Sequence, residues 1–303
     1  MQDLVDIQLA GAVTWRNHTR LGYERLTRGV YGRLPDVSNS SEWGARRARF
    51  LRHVRAVMKT YEGRQIVLYG PTALQVMRVA LPQNLEDWDR CHVVVPTGAS
   101  RPERLGVVAH RTTAPLDMWD AHEGLPLLHP VDHWLQMRGT DDELIEVADG
   151  LVRRRRALIT MDDFHRRLAE LKGVVGAPRG RRLVTWVRPG TDSLYETRTR
   201  LILVRAGLPT PAVNLPVVSR TGFVYHVDLG YEREKVAVEY DGAVHVGDTQ
   251  QQQIDAERRR DLQDVGWLII PATVMQIADP IPFVRSVEEA LILRRAALKP
   301  GRT

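Results

Sequence analysis

His226-Val227-Asp228-Leu229-Gly230 and, beyond the charged span Tyr231-Glu232-Arg233-Glu234-Lys235, Val236-Ala237-Val238-Glu239-Tyr240-Asp241-Gly242 decide how this chain is read. Val236, Val238 and Tyr240 alternate with Ala237, Glu239 and Asp241, the period of a strand with two different faces. A turn over Glu232 to Lys235 pairs Tyr231 with Val236 and sets Asp228 opposite Glu239 on the same face. Two carboxylates facing each other repel unless a positive group sits between them, and a divalent metal with oxygen ligands meets that need. The plainer alternative is a solvated hairpin with its acids in water. The flanking Val, Ala and Tyr residues point to burial, where unpaired carboxylates are costly, and this favours the metal site.

Outward from the hairpin, the pattern predicts a helix from Asp192 to Ala206, capped by Asp192 or Ser193 and ended by Gly207 with Pro209 following. A strand is expected near Ala212 to Val218. After the hairpin come a polar helix from about Thr249 to Val265, stopped by Gly266, a short buried strand Trp267 to Ile270, and a final helix from about Ile281 to Leu298. A strand–helix–strand unit after a meander implies a mixed sheet with helices on both faces. Glu196 lies on the first of these helices, with Arg200 one turn on, where the two can pair. Asp241 lies two residues past Glu239, on its face, and His245 follows the Gly242 turn. Asp255, Arg258 and Arg259 share one side of the polar helix.

The front half is expected to be α+β. Leu26 to Pro35 reads as a tight hairpin turning at Arg28-Gly29 or Gly32. Ser41 to Tyr61 reads as a helix capped by Ser40 or Ser41, and Gly70-Pro71 opens another. Cys91 to Val95 and Gly106 to Arg111 are strand candidates. Residues 130–150 and 160–172 read as helices, the second with Thr160-Met161-Asp162-Asp163 as a capping box. The glycines, prolines and arginines of 173–191 make that span the expected linker, in which Leu183 to Val187 could dock on one domain.

The 303 residues suffice for two domains, and 43% hydrophobic content supports real cores. Lys and Arg total 43 against 37 Asp and Glu, a net +6 that favours a polyanionic partner such as nucleic acid. Much of the excess is arginine in runs, at 46–47, 153–156, 179–182 and 258–260, although a GC-rich genome also enriches arginine. The one cysteine, Cys91, excludes a disulfide framework or a four-cysteine zinc site within one chain. Without a basic start and apolar core at residues 1–6, and without an apolar run of membrane-spanning length, a cytoplasmic location is expected.

Residues from about 192 to 296 resemble the small PD-(D/E)XK-type nuclease domains related to the very-short-patch-repair (Vsr) endonucleases. The matching pieces are Glu196, His226-Val227-Asp228, Val238-Glu239-Tyr240-Asp241-Gly242, His245, Asp255-x-x-Arg258-Arg259, Leu262 and Gly266-Trp267. The resemblance implies a restriction-endonuclease-like α/β domain and a magnesium- or manganese-dependent phosphodiesterase. It makes Asp228 and Glu239 the metal ligands, adds Glu196 to the acidic cluster, and gives His245 and Asp241 the activation or orientation of water. Arg200, Arg258 and Arg259 would meet DNA phosphates. The sequence departs from the restriction-enzyme pattern. Asp241 stands where that pattern puts lysine, Lys235 lies in the turn, too far to substitute, and Pro271 follows the last strand where a basic residue is expected.

The front half resembles AbiEi-type antitoxins of abortive-infection systems. Leu26-Thr27-Arg28-Gly29-Val30-Tyr31 is similar to the end of their winged helix, with residues 1–40 a degenerate form of it. The family body is expected over 41–172, through Gly70-Pro71-Thr72-Ala73-Leu74, Leu81-Pro82, Val93 to Pro96, Val108 to Arg111, Gly124-Leu125-Pro126 and Ala148-Asp149-Gly150. No helix pair precedes Leu26, so base readout by a recognition helix is not expected.

Two functions follow. One is a metal-dependent DNA endonuclease of repair or defence, with a toxin or repair protein as a further partner. The other is a non-catalytic DNA-binding regulator of the antitoxin type. A nucleotidyltransferase is disfavoured, because Gly70-Pro71-Thr72 is followed by no paired carboxylates.

Overall fold

The computed structural model describes residues 7–9, 16–21, 23–28, 30–33, 41–119, 123–241 and 249–298. In chain order its strands and helices begin with β1 (Ile7–Leu9), β2 (Glu24–Thr27), β3 (Val30–Gly32), α1 (Glu42–Thr60), β4 (Val67–Leu68), α2 (Gly70–Val76), β5 (Cys91–Pro96), β6 (Val107–Thr112) and α3 (Pro130–Trp134). They continue with α4 (Asp141–Leu151), α5 (Met161–Glu170), α6 (Ala177–Leu183), α7 (Leu194–Arg205) and β7 (Ala212–Val218). The last are β8 (Val224–Tyr231), β9 (Val236–Tyr240), α8 (Thr249–Asp264), β10 (Leu268–Ala272), α9 (Val274–Ala278) and α10 (Pro280–Leu298). No described helix is long and apolar enough to cross a membrane.

The chain divides into two compact units, one of residues 1–138 and 166–181, the other of 139–165 and 182–303. One of the three crossings between the units, at 181/182, falls within the expected linker, and the other two, at 138/139 and 165/166, precede it. Residues 173–191 are not a bare connector. They hold α6 and a 3-10 turn at Val184–Trp186, and bury Leu183, Val184 and Val187. Two of their glycines, Gly176 and Gly180, sit where a side chain would not fit. Gly176, at φ +91°, has Leu135 O only 2.7 Å from where a Cβ would stand.

In the first unit, β1, β3 and β2 form an antiparallel sheet, with the β2–β3 hairpin closing at Thr27↔Val30. Helix α1 starts where Ser41 accepts from the Gly44 amide, as its sequence predicts. Its buried Arg52 ties it to the hairpin through Arg33 O and Glu24. A second sheet runs β4-β5-β6, with β5 and β6 parallel. The helix expected over 130–150 is two, α3 and α4. Thr140 and Glu143 make a capping box that starts α4 anew.

In the second unit, the order is β10-β9-β8-β7, with β10 parallel to β9 and the rest antiparallel, giving the mixed sheet expected. The hairpin register is as read from the sequence, with Tyr231↔Val236, Gly230↔Ala237 and Leu229↔Val238. One face packs Leu229, Val236 and Val238 with Leu203 of α7 and Phe283, Val287 and Leu291 of α10. A second cluster joins Val217, Val227 and Ala237 to Leu262 of α8 and Trp267. Lys235 closes the hairpin at φ +50° and donates to Val265 O.

Candidate functional site

Each acidic residue of the expected cluster is delivered by a different element. Ser193 caps α7 by accepting from the Glu196 amide at 3.2 Å, and Glu196 Oε2 accepts from the Asp192 amide at 2.8 Å. The cap therefore fixes the Glu196 carboxylate at the start of the helix, where the backbone dipole favours negative charge. Continued one step, the β8–β9 ladder sets Asp228 opposite Glu239. The Asp228 carboxylate accepts from the Tyr240 amide at 2.9 Å.

Burial, then the charge of Asp228, pushes Glu196 up to about 7, against the hydrogen bonds from Asp192 and Ser193. Burial likewise pushes Asp228 up to about 6. Glu239 and Asp192 add to that rise, while the Tyr240 amide and Arg258 oppose it. The carboxylates thus press on one another in a part-buried place with too little positive charge to balance them. Arg154 contributes some. It pairs with Asp192 and feels Glu196 and Asp228.

The sequence expectations fare unevenly here. Glu239 is already matched. Arg258 donates from Nη1 to Oε2 at 2.8 Å and from Nη2 to Oε1 at 2.5 Å, and Nη2 also reaches His226 O. Burial works against the Arg258 charge, but Glu239, with Asp228 and Asp255, offsets it and holds the pKa above its ordinary value. Arg200 does not pair with Glu196 and does not face solvent. It is 1% exposed and donates to the fully buried Asp149, which also accepts from Thr197 and the Arg188 amide. A guanidinium so enclosed has no phosphate within reach, which corrects its expected place among DNA contacts. Arg259 is exposed on α8. Asp241 is exposed, and its amide donates to Ala272 O. His245 lies outside the described residues.

Among the described residues no group of three or more His, Cys, Asp or Glu stands ready to hold a metal ion. The donor set nonetheless fits a hard cation in part. Magnesium is commonly held by one or two carboxylates and several waters, and Asp228 with Glu196 supplies two. Glu239 can join only if Arg258 yields it.

Sequence reasoning missed the aromatic flank. Tyr195 and Tyr240, the neighbours of Glu196 and Glu239, stack at 4.5 Å with their planes 1° apart, and Arg198 lies over Tyr195 at 5.2 Å. It also missed Arg154, since a run of four arginines carries no sign of which one meets the acids.

Two proteins of Mycobacterium tuberculosis resemble this chain. They are Uncharacterized protein MT2308 of strain CDC 1551 / Oshkosh and Uncharacterized protein Rv2248 of strain ATCC 25618 / H37Rv. Each is 32% identical over 142 residues, covering 43% of this chain and 52% of the relative. The chain thus spans about half the length of the curated relatives it matches. No family model matches the chain, and no solved structure does.

Proposed function

We propose that this protein is a metal-dependent DNA endonuclease whose centre is Glu196, Asp228 and Glu239. The observation that carries this reading is the convergence of part-buried carboxylates from α7, β8 and β9, where burial first and the neighbouring acids second push Glu196 up to about 7 and Asp228 up to about 6. Asp228 and Glu196 would hold the magnesium or manganese ion, which supplies Lewis-acid polarisation of a phosphate and a nucleophilic hydroxide. Arg258 offers two donors in a planar fork that suits a phosphate as well as it suits Glu239. Exchange of Arg258 from carboxylate to phosphate on DNA binding frees Glu239 for the cation. The net charge of +6 agrees with a polyanionic substrate.

The test is cleavage of plasmid and single-stranded DNA with Mg²⁺ or Mn²⁺. Wild type nicks only with metal, and Asp228→Ala and Glu239→Ala each lower the rate by about a hundredfold or more. The Arg258–Glu239 pair favours a second reading, a non-catalytic DNA-binding regulator with its acidic site neutralised internally. Binding without cutting under either metal selects it. A toxin or repair partner belongs equally to both readings.

A further inference from the structure

The outer side of α10 carries a pattern that reads the same from either end. The helix turns Phe283, Val287, Ala290 and Leu291 into the core. Ile281, Arg285, Glu288 and Ile292 are left exposed. Their spacings of four, three and four residues align them as one seam, the rhythm of the contact line in a helix pair. Ile281 is 68% exposed and Ile292 57%. Apolar residues scattered singly on a surface need no explanation. These two close a seam whose middle holds one cation and one anion.

Beside the seam, and within the same unit, lies a groove of about 510 Å³ between α4, α7 and α10. Leu201, Ile202, Ile281 and Val284 give it apolar walls. Its charges on α4 and α7 are already matched, Arg205 with Asp142 at 2.8 Å and Arg198 with Glu146 at 2.7 Å. Arg285 and Glu288 line it too, yet neither side chain has an ion-pair partner among the described residues.

A second α10 laid antiparallel along the first supplies those partners. With a two-fold axis passing between Arg285 and Glu288, Arg285 faces Glu288 of the second copy, and Ile281 faces its Ile292. Every contact then occurs twice, which is the mark of an isologous interface. A parallel pair would set arginine against arginine and glutamate against glutamate, and like charges so placed repel. The antiparallel register also brings Ile292 of the second copy to Ile281, in the wall of the groove.

We propose that this protein pairs with a second copy of itself through α10, antiparallel about a two-fold axis between Arg285 and Glu288, with Ile292 of each copy seated at the groove of the other. One helix pair buries less than a standard interface, so the dissociation constant is on the order of tens of micromolar. Salt weakens the pairing, because its two ion pairs lie at exposed positions.

The experiment is sedimentation equilibrium of the full chain at low salt, from about 5 to about 500 µM, a range that brackets a weak interface. Wild type is expected to pass from monomer to dimer. Arg285→Glu sets carboxylate against carboxylate and Glu288→Arg sets guanidinium against guanidinium, and each weakens association by about tenfold or more. Mixing these two variants restores the wild-type affinity, since each supplies the charge that the other lacks. Joining both substitutions in one chain restores it too. Ile292→Asp abolishes pairing. Thermal unfolding of dilute samples stays as in wild type throughout, because all the substituted positions are exposed. A chain that remains monomeric to the highest concentration leaves this face to a different protein and overturns the proposal. A dimer indifferent to either charge reversal, or mixed variants that associate no better than each alone, places the contact elsewhere and overturns it as well.

Discussion

Arg200 and Glu196 lie four residues apart on one helix, a spacing that suggests a surface ion pair, yet the chain spends them on opposite tasks. Arg200 is sealed against Asp149, while Glu196 stays in the acidic cluster. Losing one partner of a buried pair strands the other charge, at about 3–5 kcal/mol. Arg200→Ala and Asp149→Ala should each lose that much in urea unfolding, and replacing both by apolar residues of similar volume should restore most of it. A loss below about 1 kcal/mol would mean that the pair is relaxed or hydrated in solution. Glu196 gives a pH signature. Its folded pKa of about 7 stands above the ordinary 4.5. The folded state therefore holds this proton more tightly, and the stability it confers is complete below about pH 4.5 and lost as pH rises through 7. In the presence of a chelator, Glu196→Gln should gain on wild type between pH 5 and pH 8. A constant gap between the two unfolding midpoints would sink this account.

At the scale of elements, much was legible because local chemistry decided it. Ser41 and Ser193 cap α1 and α7, Thr160 and Asp163 exchange bonds at α5, and the β8–β9 register follows from alternation and turn length. The failures were also local, in signals passed over. Thr140-x-x-Glu143 and Thr273-x-x-Gln276 are capping boxes that start α4 and the unforeseen α9. What no local pattern carried was the partner of each charge. Arg258 and Glu239 lie 19 residues apart, and Arg198 and Glu146 lie 52. Glycine helped to mark 173–191 as a linker, whereas at Gly176 the Leu135 carbonyl leaves no room for a side chain. Gly176→Ala combines that clash with a positive φ, and should cost about 2 kcal/mol or more in thermal or urea unfolding. A neutral result would show that the Leu135 turn gives way freely.

For the molecule as a whole, the second unit is discontinuous in sequence, built from 139–165 and 182–303. The resemblance to small nuclease domains covers about 192–296, with its matching pieces between Glu196 and Trp267. The structure adds α4, whose Asp149 and Glu146 receive Arg200 and Arg198 from α7. A fragment of residues 192–303 should therefore fail to unfold cooperatively, while 139–303 should show a single transition by circular dichroism. If 192–303 melts as sharply as the longer fragment, α4 is an accessory and not part of the core.

The same stitch has a consequence in time. Synthesis runs at roughly 5–20 residues per second, so a carboxylate on α4 waits roughly 3–10 seconds for a guanidinium made some fifty residues later. Until then Glu146 and Asp149 remain hydrated. The ribosome can finish most of the first unit while the second is held open by its own missing counter-ions.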